Sequence, residues 1–240
     1  MRVAIMQPYF FPYIGYFQLM AAVDLFIVYD NIKYTKKGWI NRNRMLQSGK
    51  DVMFSLPLRN DSDSLDVCDR VLAADFDRDK LLNRLRGAYN RAPNYAAVSA
   101  MIERAVRHDD TNLFAYLHHA LRECCEHLGL TTPIRVSSSV PIDHGLNNQD
   151  KVIALAKAVG ATTYVNAIGG LELYDRAAFR DQGLELQFIR SRAFEYPQFG
   201  DPFVPWLSII DVMMFNAPSA IAHCLTNNFD LIERSPEAIA

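Results

Sequence analysis

The sequence predicts an α/β fold, a mostly parallel sheet sandwiched by helices, with a helical insertion. Short apolar runs alternate with helical patterns towards both ends of the chain, which is typical of parallel strands joined by crossover helices. Between these regions, residues 78–128 are predicted to be helical apart from short breaks. The 240 residues are 50% hydrophobic, which is enough to bury the core of one large domain.

The first thirty residues contain a complete strand–helix–strand unit. An apolar strand over residues 3–6 ends before Pro8, a helix follows Pro12 over 13–22, and a second strand covers 25–29. Proline cannot continue a central strand, but it is favourable in the first turn of a helix. The spacing therefore predicts a right-handed crossover between parallel strands.

The remaining elements follow from turn and breaker residues. A cation-rich segment over 34–44 leads into a hairpin over 45–58 that turns at Gly49. The insertion divides into three helices, 78–91, 94–108 and 111–128. Beyond it we predict strands at 134–137, 162–166 and 184–189, and helices at 148–159, 175–181, 209–215 and 219–225. We expect one domain over 1–230, with the insertion at about 78–128 and a frayed tail over 231–240.

Composition argues against several classes of function. The net charge of −2 argues against a general nucleic-acid binder. None of the four cysteines forms a Cys-x-x-Cys pair, which favours a reducing, cytoplasmic compartment over a disulfide framework. Prolines and glutamines interrupt the apolar N-terminus, so we expect neither a signal peptide nor a membrane span. We predict no metal site, because His119 and His127 lie about 12 Å apart on a straight helix.

Ligands of such sheets bind where parallel strands deliver their carboxyl ends. The first strand ends at residues 7–12, so we expect this aromatic loop to line a ligand crevice. A glycine early in the following helix allows a ligand to approach the backbone, and the helix start favours anions. The predicted binding residues here are Gln7, Pro8, Tyr9, Tyr13 and Gly15, with Tyr16 as a catalytic candidate.

A second candidate region is the cation-rich segment, which has no acid between Asp30 and Asp51. Arginine and lysine in such a patch can bind a diphosphate, and tryptophan can stack on a base or a sugar. The alternative is an edge hairpin guarded by lysines against aggregation. The predicted binding residues here are Lys33, Lys36, Trp39, Arg42 and Asn43.

His144 lies between a predicted strand and a helix, where a general base can act near neutral pH. The alternative, which we favour from the residues alone, is a loop histidine that faces water. Lys151, in the first turn of the next helix, can reach a phosphate, although a solvated lysine is the commoner outcome. Asn147 and Asn148 are candidates to cap that helix.

The strand at 162–166 ends at Asn166, and two glycines follow at Gly169 and Gly170. Paired glycines permit a turn close to a ligand, or simply an ordinary turn. Tyr174 is a further candidate binding residue. Asp211 is a catalytic candidate, which can orient a base or bind a sugar hydroxyl. Ser208 is a candidate binding residue, although it fits a helix cap better than a nucleophile. No Gly-x-Ser-x-Gly elbow supports serine catalysis.

Longer motifs resemble a known family. The residues at 7–17, 24–26, 29–30, 38–43, 160–164 and 207–211 are similar to those of the WbqC-like family. The resemblance implies a role in bacterial surface-polysaccharide biosynthesis, in O-antigen and lipopolysaccharide gene clusters. It implies a transferase or ligase that forms an amide between an amino acid such as glycine, or an acyl group, and the amine of a dTDP- or UDP-linked amino sugar. Departures from the family pattern at 147–152 and 164–167 fall where a ligand would bind.

A weaker resemblance concerns adenylyl-transferring enzymes with a His-x-Gly-His signature. Here Tyr13, Gly15 and Tyr16 stand in the matching place, and the two histidines are missing. The likeness implies a Rossmann-like fold related to nucleotidyltransferases, and nucleotide binding more than adenylyl transfer, because tyrosine cannot become a cation.

The implied partners are a nucleotide-linked sugar and an acyl or amino-acid donor, and a homodimer is left open. ATP and magnesium are needed only if the amino acid is activated on this protein. Two alternative functions stay open: a non-catalytic sugar-nucleotide binding or assembly protein, and a nucleotidyltransferase that makes the activated sugar.

Overall fold

The computed structural model describes residues 1–200 and 202–233, and it confirms the α/β class. Its strands are β1 (Arg2–Met6), β2 (Leu25–Val28), β3 (Arg42–Gln47), β4 (Lys50–Ser55), β5 (Ile134–Val136), β6 (Thr163–Ala167), β7 (Glu185–Ser191) and β8 (Phe229–Ile232). Its α-helices are α1 (Ile14–Ala21), α2 (Arg78–Tyr89), α3 (Tyr95–Val106), α4 (Leu113–Leu128), α5 (Asn148–Ala158), α6 (Arg176–Asp181), α7 (Ile209–Phe215) and α8 (Pro218–Asn227).

The main sheet has six strands in the order β5-β2-β1-β6-β7-β8. The first five are parallel, and β8 pairs antiparallel with β7. Sequence analysis did not predict β8, and the predicted tail over 231–240 begins inside this strand. Residues 234–240 of that tail lie outside the described residues. Strands β3 and β4 form a separate hairpin.

Two hydrophobic clusters cover the two faces of the sheet. Along β1, Ala4 packs into the cluster that contains α1, α7, α8 and the insertion α2–α4. Its neighbours Val3 and Ile5 pack into the cluster that contains α5 and α6. Alternate side chains of a strand point to opposite faces, so the alternation assigns each helix to a face. We call these the insertion face and the α5 face.

Side-chain caps account for several helix starts. The side chains of Asp77 and Asn112 accept from backbone N–H groups of the first turns of α2 and α4, and Gly129 ends α4 in the left-handed conformation. Ser208 accepts from Ile210 N at the start of α7, as the capping alternative predicted. Asn147 makes no side-chain cap on α5, so the first turn of this helix lacks the predicted cap.

The sheet reverses its winding direction between β1 and β6. From β1 the chain proceeds through α1 to β2 on one side, whereas from β6 it proceeds through α6 to β7 on the other. The paired register between β1 and β6 covers only Arg2–Thr163 and Val3–Tyr164, although both strands continue further. The carboxyl ends of β1 and β6 therefore border a topological switch point, where ligands of open α/β sheets bind.

In the described part of the chain, no helix combines the length and the apolarity needed to cross a membrane.

Candidate functional site

The aromatic loop after β1, residues 7–13, which we call the elbow, is mostly part of the core. The Phe10 and Phe11 side chains are fully buried and contact each other with ring centroids 4.5 Å apart. Our expectation that the whole loop lines a crevice is therefore corrected for these two rings. Their burial follows from the packing of the hairpin and α4 against Phe10 through Phe54 and Tyr116. Gln7, Tyr9 and Tyr13 stay partly exposed.

Two buried polar side chains hold the elbow in place, and we call them the elbow brace. Asn43 Nδ2 donates to the Phe11 carbonyl at 2.7 Å and to the Phe10 carbonyl at 3.3 Å. Ser208 Oγ donates to the Phe11 carbonyl at 2.8 Å. Phe11 needs such support because its φ of 46° is rare for a bulky residue. The structure thus gives Asn43 and Ser208, both predicted ligand contacts, bonds to the protein's own backbone.

The other predicted residues of this region also contact the elbow. Tyr16 is 2% exposed, and its hydroxyl donates to the Gln7 carbonyl at 2.9 Å. Burial, with a smaller effect of Tyr13, raises the pKa of Tyr9 to about 12. A Cβ on Gly15 would lie 2.3 Å from the Tyr13 ring, so this glycine lets Tyr13 fold back over the helix start. Pro8 is buried.

On the α5 face of the switch point, Lys151 is 9% exposed. Its Nζ donates to the Asn31 carbonyl at 3.0 Å and lies 5.5 Å from the Tyr29 ring centroid. Within residues 1–200 and 202–233, no carboxylate oxygen lies within 4.0 Å of this ammonium group. Asp66 lies further away, close enough for the Lys151 charge to act on its carboxyl group. A buried charge without a contacting counter-ion is costly, and an anion bound here would offset that cost.

Asn166 occupies the matching position at the end of β6. It is 6% exposed, and among the described residues its side-chain amide has no hydrogen-bond partner. A Cβ on Gly170 would lie 2.2 Å from Asn166 Nδ2, whereas a Cβ on Gly169 would meet nothing within 4 Å. Gly170 therefore makes room for the Asn166 amide. The amide atoms of Asn166 are not among the fully buried, unbonded side-chain atoms of the described residues, so this amide is accessible to water or to a ligand.

Tyrosines connect these two side chains. The Tyr174 and Tyr164 hydroxyls are 3.3 Å apart, and Tyr174 is close enough to Tyr29 to help raise the pKa of the Tyr29 phenol, after the larger effect of burial. Neighbouring strands lie about 4.8 Å apart, so the ends of β2 and β6 are about 10 Å apart. We call this region the switch-point crevice; its residues are Gln7, Tyr29, Lys151, Asn166, Gly170 and Tyr174.

His144 lies beside the crevice in a network with the end of β2. Its Nδ1 is 2.9 Å from Asn31 Nδ2, and its Nε2 is 3.0 Å from the Val140 carbonyl. A carbonyl can only accept, so Nε2 carries the proton and Nδ1 accepts from Asn31. Both ring nitrogens of His144 are therefore engaged by protein groups.

The same network stabilises the ionised form of Asp30. Sequence analysis did not single out this residue. Burial alone would raise the pKa of this carboxyl group, but hydrogen bonds from Ser138 and Ser137 outweigh it and hold the pKa below its usual value. Asp30 accepts from Ser137 Oγ at 2.7 Å and from Ser138 N at 2.9 Å. Its position directly after β2 was the available signal, because polar residues that follow parallel strands meet at one edge of the sheet.

One group of side chains near Asp30 could hold a cation. Ligand atoms of Asp66, Cys68 and Asp69 all lie within 4.8 Å of one another, and Cys68 N donates to the Asp30 carbonyl at 3.1 Å. Burial, followed by the charges of Asp69, Asp30 and Asp66, raises the pKa of the Cys68 thiol to about 11. The thiol thus stays protonated at neutral pH, which leaves two carboxylates as oxygen ligands.

The cation-rich segment meets acids that lie outside the acid-free stretch, one across the hairpin and one in the loop that follows it. Lys36 pairs with Asp63 at 2.8 Å, and Arg44 pairs with Asp51 at 3.1 Å. Arg42 Nε donates to the Gly38 carbonyl at 2.8 Å. Lys33 is exposed beside Asp66, and Trp39 is 41% exposed. The absence of acids between 30 and 51 therefore does not leave the whole patch unpaired in three dimensions.

Asp211, the remaining catalytic candidate, lies in the core on the insertion face. Its carboxylate accepts from Tyr196 at 2.7 Å, Gln198 at 2.8 Å and Tyr89 at 3.0 Å. Burial raises the pKa of Asp211 despite these three hydrogen bonds. The structure thus places Asp211 in a bonded core position and does not bring it together with His144.

Two surface depressions elsewhere contain none of the predicted site residues. One, of about 600 Å³, lies between α5 and α6 and is lined by Lys157 and Gln182, among others. The other, of about 120 Å³, lies between α2 and α3. The position of the candidate site is therefore inferred from the Lys151 ammonium and the Asn166 amide of the switch-point crevice.

Comparisons with known proteins agree with the motif resemblance. The chain matches the model of the WbqC-like protein family over residues 7–223, a span that contains both the elbow and the crevice. It is 27% identical over 230 residues to the uncharacterized protein Rv1507c of Mycobacterium tuberculosis (strain ATCC 25618 / H37Rv), covering 93% of this chain and 98% of that protein. No solved structure matches the chain. The chain belongs to the WbqC-like protein family.

Proposed function

We propose that the protein is an enzyme of bacterial surface-polysaccharide biosynthesis that forms an amide on the amine of a nucleotide-linked amino sugar. The switch-point crevice binds the phosphates and sugar of this substrate. An amino acid such as glycine, or an acyl group, is the other reactant. The class of substrate and of reaction comes from the family resemblance, and the position of the site comes from the geometry.

The observation that carries the proposal is the unpaired ammonium of Lys151. A phosphate oxygen would give this buried group its counter-ion. The first turn of α5, which has no side-chain cap on its N–H groups, favours the same negative charge. Across the switch point, the Asn166 amide can donate to or accept from a sugar hydroxyl or a carbonyl group.

The reaction needs few groups from the protein. The sugar's amine nitrogen forms a bond to the acyl carbon, the bond from that carbon to its leaving group breaks, and the amine releases one proton. His144 is the proposed acceptor of this proton. To accept it, the ring must release the hydrogen bond from Asn31, because its lone pair on Nδ1 is engaged there.

If glycine itself is the donor, ATP must first activate its carboxylate, and magnesium would accompany the nucleotide. The Asp66 and Asp69 carboxylates offer the oxygen ligands that magnesium prefers. With an already activated acyl donor, neither ATP nor the ion is needed.

A second function is favoured by one observation. Both nitrogens of His144 are engaged, and Asp211 is enclosed by three donors, so these two predicted acid–base residues are occupied by protein groups. A protein that binds the nucleotide sugar and presents it to another enzyme needs no free base.

Mass spectrometry of the sugar nucleotide decides between these functions. UDP- and dTDP-linked amino sugars are incubated with the protein, glycine and ATP, and in parallel with activated acyl donors. The enzyme proposal predicts a product heavier by one acyl group, lost in His144→Ala. Tight binding without any mass gain would support the binding protein instead. Pyrophosphate release from a sugar phosphate and a nucleoside triphosphate would indicate a nucleotidyltransferase.

A further inference from the structure

Two aromatic residues have a left-handed backbone, Phe11 with φ 46° and Trp206 with φ 58°. Such conformations are unfavourable for bulky side chains, and they cluster at ligand clamps and active sites. The Phe11 ring is fully buried, so core packing offsets its strain. Trp206 is 59% exposed, and burial of its indole offers little compensation.

Strand β3 holds the backbone at Trp206 and just after it. Arg44 Nη2 donates to the Trp206 carbonyl at 3.2 Å, and Ser208 N donates to the Arg44 carbonyl at 2.9 Å. Ile209 N donates to the Pro12 carbonyl at 2.8 Å. Hydrogen bonds from the hairpin and the elbow therefore hold the backbone that carries this exposed indole.

Other aromatic and planar groups surround this indole. The Tyr13 ring lies 6.2 Å from Trp206 between centroids, at an interplanar angle of 63°. Arg44, which bonds to the Trp206 carbonyl, has its guanidinium 5.3 Å from the Trp39 ring centroid. We call Tyr13, Trp39, Arg44 and Trp206 the aromatic platform. It contains both tryptophans of the chain.

The geometry points to the aromatic platform as a nucleobase-stacking site, with the base stacked on Trp206 and bordered by Tyr13. This inference rests on the proposed nucleotide-linked substrate and adds the subsite for its base. Bases stack on aromatic side chains with little regard to their identity, since each has a π-face. An indole with one flanking ring offers a contact area that matches one flat ring. This area is far below the roughly 800 Å² per partner of a standard protein interface, so a small planar ligand fits better than a protein partner.

The elbow connects the platform to the switch-point crevice. Gln7 follows β1 at the crevice, and Tyr13 precedes α1 at the platform. One loop of seven residues thus borders both the proposed phosphate subsite and the proposed base subsite. The brace residue Asn43 and its neighbour Arg44 hold the two strained residues of this region, Phe11 and Trp206.

The two tryptophans provide a direct optical test. In Trp39→Phe, Trp206 is the sole tryptophan, and its fluorescence reports on stacking. We expect uridine and UDP to quench this fluorescence with saturation, and ribose 5-phosphate, pyrophosphate and N-acetylglucosamine to leave it unchanged. Quenching by N-acetylglucosamine without quenching by uridine would overturn the inference in favour of a sugar-stacking surface.

Substitution of Trp206 gives a second, independent readout. Trp206→Gly removes the ring and also relieves the left-handed strain. We expect UDP affinity to fall at least about tenfold while the melting temperature does not decrease. Trp206→Phe retains a ring and should retain most of the affinity. Phe199→Ala, an exposed aromatic outside the platform, should change neither quantity.

The outcomes separate this inference from the proposed function. UDP binding in calorimetry without quenching of Trp206, or with unchanged affinity in Trp206→Gly, would overturn the base subsite and leave the phosphate site standing. Absence of binding by any uridine or thymidine nucleotide would overturn both.

Discussion

The elbow brace and the switch-point crevice both place polar side chains in buried positions at the same edge of the sheet. They differ in how far protein groups supply the hydrogen-bond partners and counter-ions of these side chains. In the brace, Asn43 and Ser208 bond to backbone groups of the elbow and of their own strand or helix. In the crevice, and among the described residues, the Lys151 ammonium bonds to the Asn31 carbonyl but has no carboxylate within 4.0 Å, and the Asn166 side chain makes no hydrogen bond. Buried polar groups that are fully bonded stabilise a fold, whereas unpartnered ones carry a cost that a ligand can remove.

The difference between the two regions shows that residues within family-like motifs can hold the fold together rather than contact a ligand. Residues 38–43 and 207–211 belong to the motifs that identify the family, yet Asn43 and Ser208 within them hold the elbow. The departures from the family pattern, at 147–152 and 164–167, include Lys151 and Asn166. We therefore expect the shared motifs to supply both the fold and part of the site, and the divergent positions to determine which ligand binds.

The largest expected effect is on stability, from loss of the brace. Asn43→Ala removes the side-chain donor of the Phe10 carbonyl and one of the two side-chain donors of the Phe11 carbonyl. It should lower the free energy of unfolding by about 2–4 kcal/mol. Urea denaturation measures it. Gln47→Ala, at the exposed end of the same strand, is the control and should stay within about 0.5 kcal/mol of wild type. An equally stable Asn43→Ala would show that the brace is dispensable.

The next effect is on binding, from the glycine pair after β6. Gly170→Ala places a Cβ against Asn166 Nδ2, so the amide must move. We expect UDP-sugar affinity to fall about tenfold and stability to fall by about 1 kcal/mol. Gly169→Ala adds the same methyl group in open space and should change neither. If the two variants bind alike in calorimetry, the Asn166 amide does not contact the ligand.

Sequence analysis predicted the fold class, the family and the Ser208 cap, because these follow from local patterns and residue spacing. It did not predict β8, whose four residues pair with β7, nearly 40 positions earlier in the chain. It gave Lys151 as a phosphate contact with a solvated lysine as the alternative, and it did not predict the burial of this side chain, since nothing local indicates that Tyr29 and Asn31 enclose it. Likewise, the ion pairs of Lys36 and Arg44 depend on acids brought close only by folding.

A smaller effect on stability is expected from substitution of Lys151. Its sign shows whether the charge of this lysine supports the fold or serves a ligand. Lys151→Met replaces a buried, unpaired charge with an apolar side chain of similar length. The free energy of unfolding without ligand should stay equal or rise by about 1 kcal/mol. Lys157→Met on the same helix, where the ammonium bonds to exposed Gln182, should change little. A marked loss of stability in Lys151→Met would indicate that the charge supports the fold.

The smallest effect is a pH dependence in the core. Burial raises the pKa of Asp211 above its usual 3.8, so between these two values the folded state binds more protons than the unfolded state. The contribution of Asp211 to stability is then greatest at low pH and decreases as pH rises through that window. Relative to Asp211→Asn, wild type should lose stability from pH 4 upwards in urea denaturation. Parallel curves for the two proteins would contradict this.

The central claim is that the unpaired Lys151 ammonium at the switch point binds the phosphates of a nucleotide. Isothermal titration calorimetry of wild type, Lys151→Met and Lys157→Met with UDP tests it most directly. We expect UDP to bind wild type and Lys157→Met. The affinity of Lys151→Met for UDP should be at least tenfold lower. Equal affinity of all three proteins for UDP would contradict it.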